Sequence, residues 1–324
     1  MAPSLWRTRG FMNFCIFDRL GRLTSRAGGH GGGPGEFVGP VGLTNIWLAV
    51  GDTVAVWEHG RSRLSLFDRA GHYIGGTQVI PSAGAFPMAV GVLTGQQIVA
   101  LHRRDRRPRY AGELYRDSLR FVVYSANGTE WSVLGYLPGY ERFGYEFQGS
   151  LRMGRLPFAR EPVAVAHGRH FYCASGDAYE IRIYSGKQLS LIIRRQESDR
   201  RLSPEDIATD VSLRMAAAPK DPAVRQAWQR SFDEVPYPSQ VPAINRILVD
   251  DVGRLWVRAY SHPQDTVAKW SIFDLDGRWV QDAWLPIELH VLDVGTADII
   301  AVWKDEFDVE RVGVFKIEPM MRQS

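Results

Sequence analysis

Apolar and polar residues alternate in short runs along most of the chain, and the runs recur in a fixed order. Arg63-Leu64-Ser65-Leu66-Phe67-Asp68 leads through Gly71 into a second apolar run at Tyr73 and Ile74. A period of two marks a strand with one buried face. Asp68 can bond its own backbone and Gly71 can take positive φ, so a tight turn joins the two runs. The unit returns at 13–18 with Gly21, at 120–125 with Gly128, at 180–185 with Gly186 and at 269–274 with Gly277. A last copy at 311–315 ends without a further turn and strand, which brings the count to six.

Upstream of most copies lies a run rich in β-branched and aromatic residues, at 52–57, 97–101, 170–173, 255–257 and 299–303. Before each of these comes another, at 41–48, 87–93, 162–166, 244–249 and 289–294. Four antiparallel strands in a unit of about 40 to 60 residues describe one blade of a propeller. Such a unit cannot bury both faces alone, so its neighbours must stack on it. The pattern predicts an all-β, six-bladed β-propeller whose first and last blades are incomplete. The propeller is expected over 11–319, with 1–10 outside it and 320–324 as a tail. Because the ends supply barely enough strands for a sixth blade, some N-terminal sequence is expected to be missing, a secretory signal included.

Two stretches break the strand pattern. Ser203-Pro204-Glu205-Asp206 reads as a helix start, with a capping serine, proline in the first turn and acids near the positive end of the helix. Asp221-Pro222 repeats the device, so a helical hairpin is expected over about 203–235, with Ile207, Val211 and Leu213 on its apolar stripe. The segment 134–158, rich in Gly, Tyr and Phe, reads as a loop.

Composition adds bounds. Hydrophobic residues make up 45% and charged residues 23%, so global disorder is excluded. The formal charge of +3 permits an anionic partner without demanding one. Two cysteines, Cys15 and Cys173, cannot build a disulfide framework or a thiolate metal site, and both sit in apolar alternating runs. No run of 18 apolar residues exists to span a membrane as a helix. The compartment stays open, with a lean toward export should the N-terminus be truncated. A monomer is expected.

The turn and strand before residue 28 lead into Gly-Gly-His-Gly-Gly-Gly-Pro-Gly-Glu-Phe at 28–37. This resembles the Gly-x-Gly-Pro-Gly-Glu-Phe connection of bacterial six-bladed propellers related to the NHL-repeat group. Further matches are Gly176-Asp177 with 179–182, 192–195, 248–250 with Gly253 and 255–257, and 291–294 with 302–306. The resemblance covers the chain from about residue 11. It implies the fold and leaves the activity open, since propellers carry many functions.

Candidate chemistry is sparse. The Gly-rich stretch lacks the Lys-Ser/Thr end of a phosphate loop, so Gly33, Pro34, Gly35, Glu36 and Phe37 read as a structural connection between blades. Tyr136, Tyr140, Phe143, Tyr145 and Phe147 could line a ligand pocket or pack as a lid. Arg103, Arg104, Arg106, Arg107 and Arg109 form a basic loop that could take RNA or another polyanion, although no RNA-recognition motif accompanies them. Arg194, Arg195, Arg200 and Arg201 form a second basic run. Asn245, Asp250 and Asp293, with His30, His59, His102, His167 and His262, are candidates for one calcium or zinc ion in a central channel. Asp250 and Asp251 before Gly253 also suit a plain turn. No paired catalytic constellation is present, so the leading expectation is a cofactor-free, non-catalytic scaffold binding a protein, peptide or small ligand on its loop-bearing face. The alternatives are a metal-dependent, lactonase-like hydrolase or lyase, and polyanion binding through the arginines.

Overall fold

The computed structural model describes residues 4–6, 12–18, 21–38, 43–49, 53–82, 86–104, 106–147, 149–196 and 199–317. Strand accounts for 54% of the structure and helix for 9%, an all-β molecule. Among the described residues six antiparallel sheets follow one another in chain order. The first holds β1 (Ser4–Trp6), β2 (Asn13–Phe17) and β3 (Leu23–Gly28). The second holds β4 (Leu43–Ala49), β5 (Thr53–Glu58), β6 (Arg63–Phe67) and β7 (Tyr73–Gln78). The third holds β8 (Met88–Leu93), β9 (Gln97–Arg104), β10 (Leu114–Tyr124), β11 (Glu130–Phe147) and β12 (Ser150–Arg155). The fourth holds β13 (Val163–His167), β14 (His170–Ala174), β15 (Glu180–Ser185) and β16 (Gln188–Arg194). The fifth holds β17 (Ile244–Val249), β18 (Leu255–Ala259), β19 (Val267–Phe273) and β20 (Trp279–Pro286). The sixth holds β21 (His290–Val294), β22 (Asp298–Lys304) and β23 (Glu310–Lys316). Strands within every sheet pair in chain order, and the leading strands β4, β8, β13, β17 and β21 lie side by side in sequence. That arrangement is propeller-like, with the leading strands innermost.

The repeating turn has a common chemistry. In the second sheet Asp68 Oδ1 accepts the His72 N–H at 2.8 Å, and Gly71 sits at φ +87°. In the fifth, Asp274 Oδ1 accepts from Arg278 N at 2.8 Å, and Gly277 sits at φ +76°. Each turn is followed by one extra residue, Ile74 opposite the Leu66–Phe67 step and Val280 opposite the Ile272–Phe273 step. A left-handed residue followed by a bulge gives the hairpin the twist that lets sheets stack.

Burial follows from that stacking. Five apolar clusters fill the five junctions between consecutive sheets, each mixing residues of both neighbours. Phe14, Phe37 and Phe67 lie at the first junction, and Trp256, Trp270 and Ile299 at the last. Among the described residues no ladder joins the sixth sheet to the first.

Two expectations are corrected. Residues 4–6 pair with β2 as a strand, so the first ten residues are not wholly outside the sheets. The segment 134–158 is not a loop but most of the long strand β11 and all of β12, a fifth strand on the third sheet. Gly139 and Gly144 mark close approach, whereas Gly149, at φ +70°, takes the turn into β12. A Cβ on Gly139 would stand 1.8 Å from Asp117 Oδ1, and one on Gly144 would stand 2.7 Å from the Pro108 Cβ. The expected tail, 320–324, lies outside the described residues.

The helical hairpin is α1 (Pro204–Ala216) and α2 (Pro222–Glu234). Ser203 and Asp206 form a reciprocal capping box, and the Asp221 carboxylate accepts from Ala223 N and Val224 N. Asp206 Oδ1 also meets His262 Nδ1, beyond the end of β18, at 2.9 Å. This contact places α1 at the end of the molecule where the innermost strands begin. None of the described helices is long and apolar enough to cross a membrane.

Candidate functional site

The connection at 28–37 is built into the first junction. Glu36 folds back to accept the Gly33 N–H at 2.8 Å, and Phe37 is fully buried beside Phe67. Arg63 donates to the carbonyls of Gly33 and Glu36 while pairing with buried Glu58 at 2.8 Å. Gly35, after Pro34, sits at φ +74° with the Tyr73 side chain against it. These groups are occupied with one another.

The aromatic set lies along β11 and does not converge. Tyr136 is exposed, Tyr140 is packed under the Arg103 and Arg142 guanidiniums, and Phe143 lies against Tyr145. Phe147 ends the strand, and its side chain lies outside the described part. The expected basic loop is largely neutralised. Arg103 pairs with buried Asp117, and Arg106 and Arg109 share buried Glu113. The backbone N–H and side chain of Arg109 hold the Glu113 carboxyl below its ordinary range against the opposing effect of burial. Arg107 is exposed, while Arg104 ends β9 with its side chain outside the described part. In the second basic run, Arg194 pairs with Glu180, Arg195 with Asp282 and Arg201 with Asp199, and Arg200 donates to two backbone carbonyls.

The metal candidates also do not converge. Asp250 is fully buried and accepts from Val252 N, Arg254 N, Arg254 Nε and Trp256 Nε1 at 2.7 to 3.2 Å, which consumes its lone pairs in a turn. Asn245 is the bulged residue of β17 and faces solvent. Asp293 is reached by solvent yet hemmed in by protein, so poor hydration raises its carboxyl, with Asp251 adding to the effect. It belongs to the opposite end of the molecule, near a cavity of about 730 Å³ lined by His167, His170, Asp251 and Trp131. Among the described residues no three His, Cys, Asp or Glu side chains gather as a cation site.

What the fold does bring together lies between the fifth and sixth sheets. A cavity of about 600 Å³ is walled by Trp256, Ala283 and Leu285 on one side and by Trp303, Phe315 and Ile317 on the other. Asp282 stands at its polar edge. Burial alone would raise that carboxyl, but hydrogen bonds from Lys269, Trp279, Ser271 and Arg195 hold it far below the ordinary range. The connection from β20 to β21 closes one end of the cavity through Glu288 and Leu289, and the next residue is His290.

Beside that end stands a group of cations. Arg246 of β17 and Arg258 of β18 are direct cross-strand partners. They alternate in phase with Leu248 and Trp256, which pack toward the sixth sheet, so both arginines point the same way. Arg246 Nη1 donates to His290 Nε2 at 3.0 Å. Both arginines are half-buried, and the Arg258 Nε is buried with no hydrogen-bond partner among the described residues. Burial, with the Arg258 charge beside it, pushes Arg246 down to about 10. Poor hydration beside the protein wall and the two arginines likewise lower His290, although solvent reaches it, which suits an imidazole that accepts. The sequence reading passed over these three residues. The available signal was an arginine on each of two otherwise apolar strands, in Ile-Asn-Arg-Ile-Leu-Val and Leu-Trp-Val-Arg.

No family model and no curated protein matches the chain. Among solved structures it is similar to a DUF4221 member from Bacteroides vulgatus, with 11% identity, coverage of 97% of this chain and 91% of that one, and a TM-score of 0.48. It is also similar to a candidate exported protein from Bacteroides fragilis, at 13% identity over 90% and 74% of the two chains with a TM-score of 0.43. The virginiamycin B lyase of Staphylococcus aureus, crystallised with quinupristin, gives 10% identity over 98% and 92%, with a TM-score of 0.41. At such distances the propeller-like fold rests on the molecule's own sheets.

Proposed function

We propose that this chain is a non-catalytic binding scaffold, a six-bladed propeller in which each sheet counts as a blade, akin to the NHL-related bacterial propellers. Its ligand is a small molecule held between the fifth and sixth sheets, next to the end that carries the helices. The observation behind this reading is the cavity of about 600 Å³ walled by Trp256, Leu285, Trp303 and Phe315. Ligand sites are concave, mostly apolar spaces of about this size with a few placed polar groups. Aromatic walls bury a large area at low entropic cost, and such binding needs no metal or cofactor. The site lies away from the β11 aromatics, so the hairpin β10–β11 serves packing.

The test is a fluorescence titration with phenylnaphthylamine, an uncharged apolar dye. One dye per chain should bind, and Ala283→Phe, which projects a ring into the cavity, should weaken binding by at least about tenfold, or about 1.4 kcal/mol. Equal binding by the filled variant would overturn the assignment of the cavity.

A further inference from the structure

Two arginines directly opposite each other in an antiparallel pair repel, and a like-charged cross-strand pair costs stability unless something compensates it. Ordinary compensation is a carboxylate. Other arginines in this molecule have one: Arg63 has Glu58, Arg103 has Asp117, Arg160 has Glu141 and Arg254 has Asp250. Among the described residues Arg246 and Arg258 have none. The nearest polar partner of Arg246 is an imidazole, and one donor of Arg258 is left with no acceptor. The bulge at Asn245 matters here, because bulges re-aim the residues that follow them, and Arg246 comes next.

The pair does not line the apolar cavity but shares a row of the fifth sheet with it, across buried Trp270. Arg246, Arg258, Trp270 and Ala283 form one cross-strand row of the fifth sheet. Ala283 lines the cavity, and Leu289, which closes it, is bonded to His290. Guanidinium groups present planar forks of donors that match carboxylate, sulfonate and phosphate oxygens, and such charge-assisted bonds are about twice as strong as neutral ones.

We infer that Arg246 and Arg258, with His290 beside them, seat an oxyanion, so that the ligand is an organic acid whose apolar body fills the cavity between the fifth and sixth sheets. This deepens the binding reading above and rests on it for the apolar part alone. The anion supplies the acceptor that Arg258 Nε lacks and offsets the repulsion across the β17–β18 ladder. His290 closes the third side as a neutral hydrogen-bonding group. Arginine pairs also accept lone phosphate, so a free inorganic anion would share the seat without using the cavity.

The experiment uses the full chain and two dyes that share one ring system, anilinonaphthalene sulfonate and uncharged phenylnaphthylamine. In Arg246→Met and Arg258→Met the sulfonate should bind at least about tenfold more weakly, or about 1.4 kcal/mol, while the uncharged dye keeps its affinity. Relief of like-charge repulsion should leave both variants folded. His290→Gln, at an exposed position, serves as the independent third variant and should weaken the sulfonate alone. If both dyes bind and the sulfonate affinity stays within about twofold in all three variants, the anion seat is wrong and the cavity reading survives. If neither dye binds, the cavity reading has failed. The seat is then judged by titrating sulfate against chloride at constant ionic strength while following the His290 imidazole signals. A saturable shift lost in Arg246→Met supports the seat alone, and no shift overturns it.

Discussion

Replacing Asp250 by alanine should destabilise the molecule strongly and with no dependence on any metal ion. The carboxylate is fully buried and receives the N–H groups of Val252 and Arg254, the Arg254 Nε and the Trp256 indole N–H. In the alanine variant Arg254, a third exposed, can turn to water, as can the Val252 backbone at the surface. The Trp256 indole cannot, because that residue is 2% exposed within the fifth junction. The stranded indole donor costs about 1–3 kcal/mol, and losing hydrogen bonds to a charged carboxylate costs about 1.5–3 kcal/mol more. A loss of about 3–4 kcal/mol is therefore expected. Asp250→Asn keeps one acceptor oxygen and should lose about 1–2 kcal/mol. Urea unfolding followed by tryptophan fluorescence measures this directly. With a slope of about 3 kcal/mol/M the alanine variant should unfold about 1 M earlier, at unchanged slope. The loss should be the same with EDTA or with added calcium. A variant within about 0.5 kcal/mol of the parent would refute the buried-turn argument, and a loss seen only with calcium present would make Asp250 a metal ligand.

Other perturbations follow from the same contacts. Gly139→Ala drives a methyl into Asp117 Oδ1, the acceptor of the Tyr140 N–H, and should cost about 1–3 kcal/mol in urea unfolding; a neutral result would mean β11 does not run there. Hydrogen bonds from Ser203, His262 and Gln264 outweigh burial and bring Asp206 down to about 2, so its stabilisation is present above the ordinary carboxylate pKa and is lost as pH falls toward 2. Asp206→Asn should flatten that acid limb in a pH series of melting curves, and an unchanged limb would remove Asp206 as its source. Burial pushes the Cys173 thiol up to about 12, so a thiol reagent at neutral pH should label half-buried Cys15 and leave Cys173 unmodified until urea unfolds the chain. Equal native reactivity of both thiols would contradict the third junction as described.

The repeat was legible because it is local. A strand with one face against a neighbouring sheet needs period two, and its turn needs an acceptor such as Asp68 or Asp274 and a left-handed residue such as Gly71 or Gly277. All of that lies within about ten residues of chain. The helix starts at Ser203 and Asp221 were legible for the same reason, since a cap is chemistry between near neighbours. The segment 134–158 misled because glycine has two uses. Gly139 and Gly144 permit Asp117 and Pro108 to approach the strand, and nothing in the local sequence names those distant neighbours.

By itself, then, the sequence determined which residues form strands, where hairpins turn and which faces are apolar. Charge balance across the surface was decided by tertiary structure. The arginines at 103, 106 and 109 look like a basic patch in sequence, and pairing with Asp117 and Glu113 removes most of that charge. Arg246 and Arg258 look unremarked on two apolar strands, until the ladder sets them opposite each other and the next sheet brings His290 instead of a carboxylate. Whether a buried charge is spent or unspent depends on its partners, and partners are chosen by sheet register and stacking, which the linear order of residues does not display.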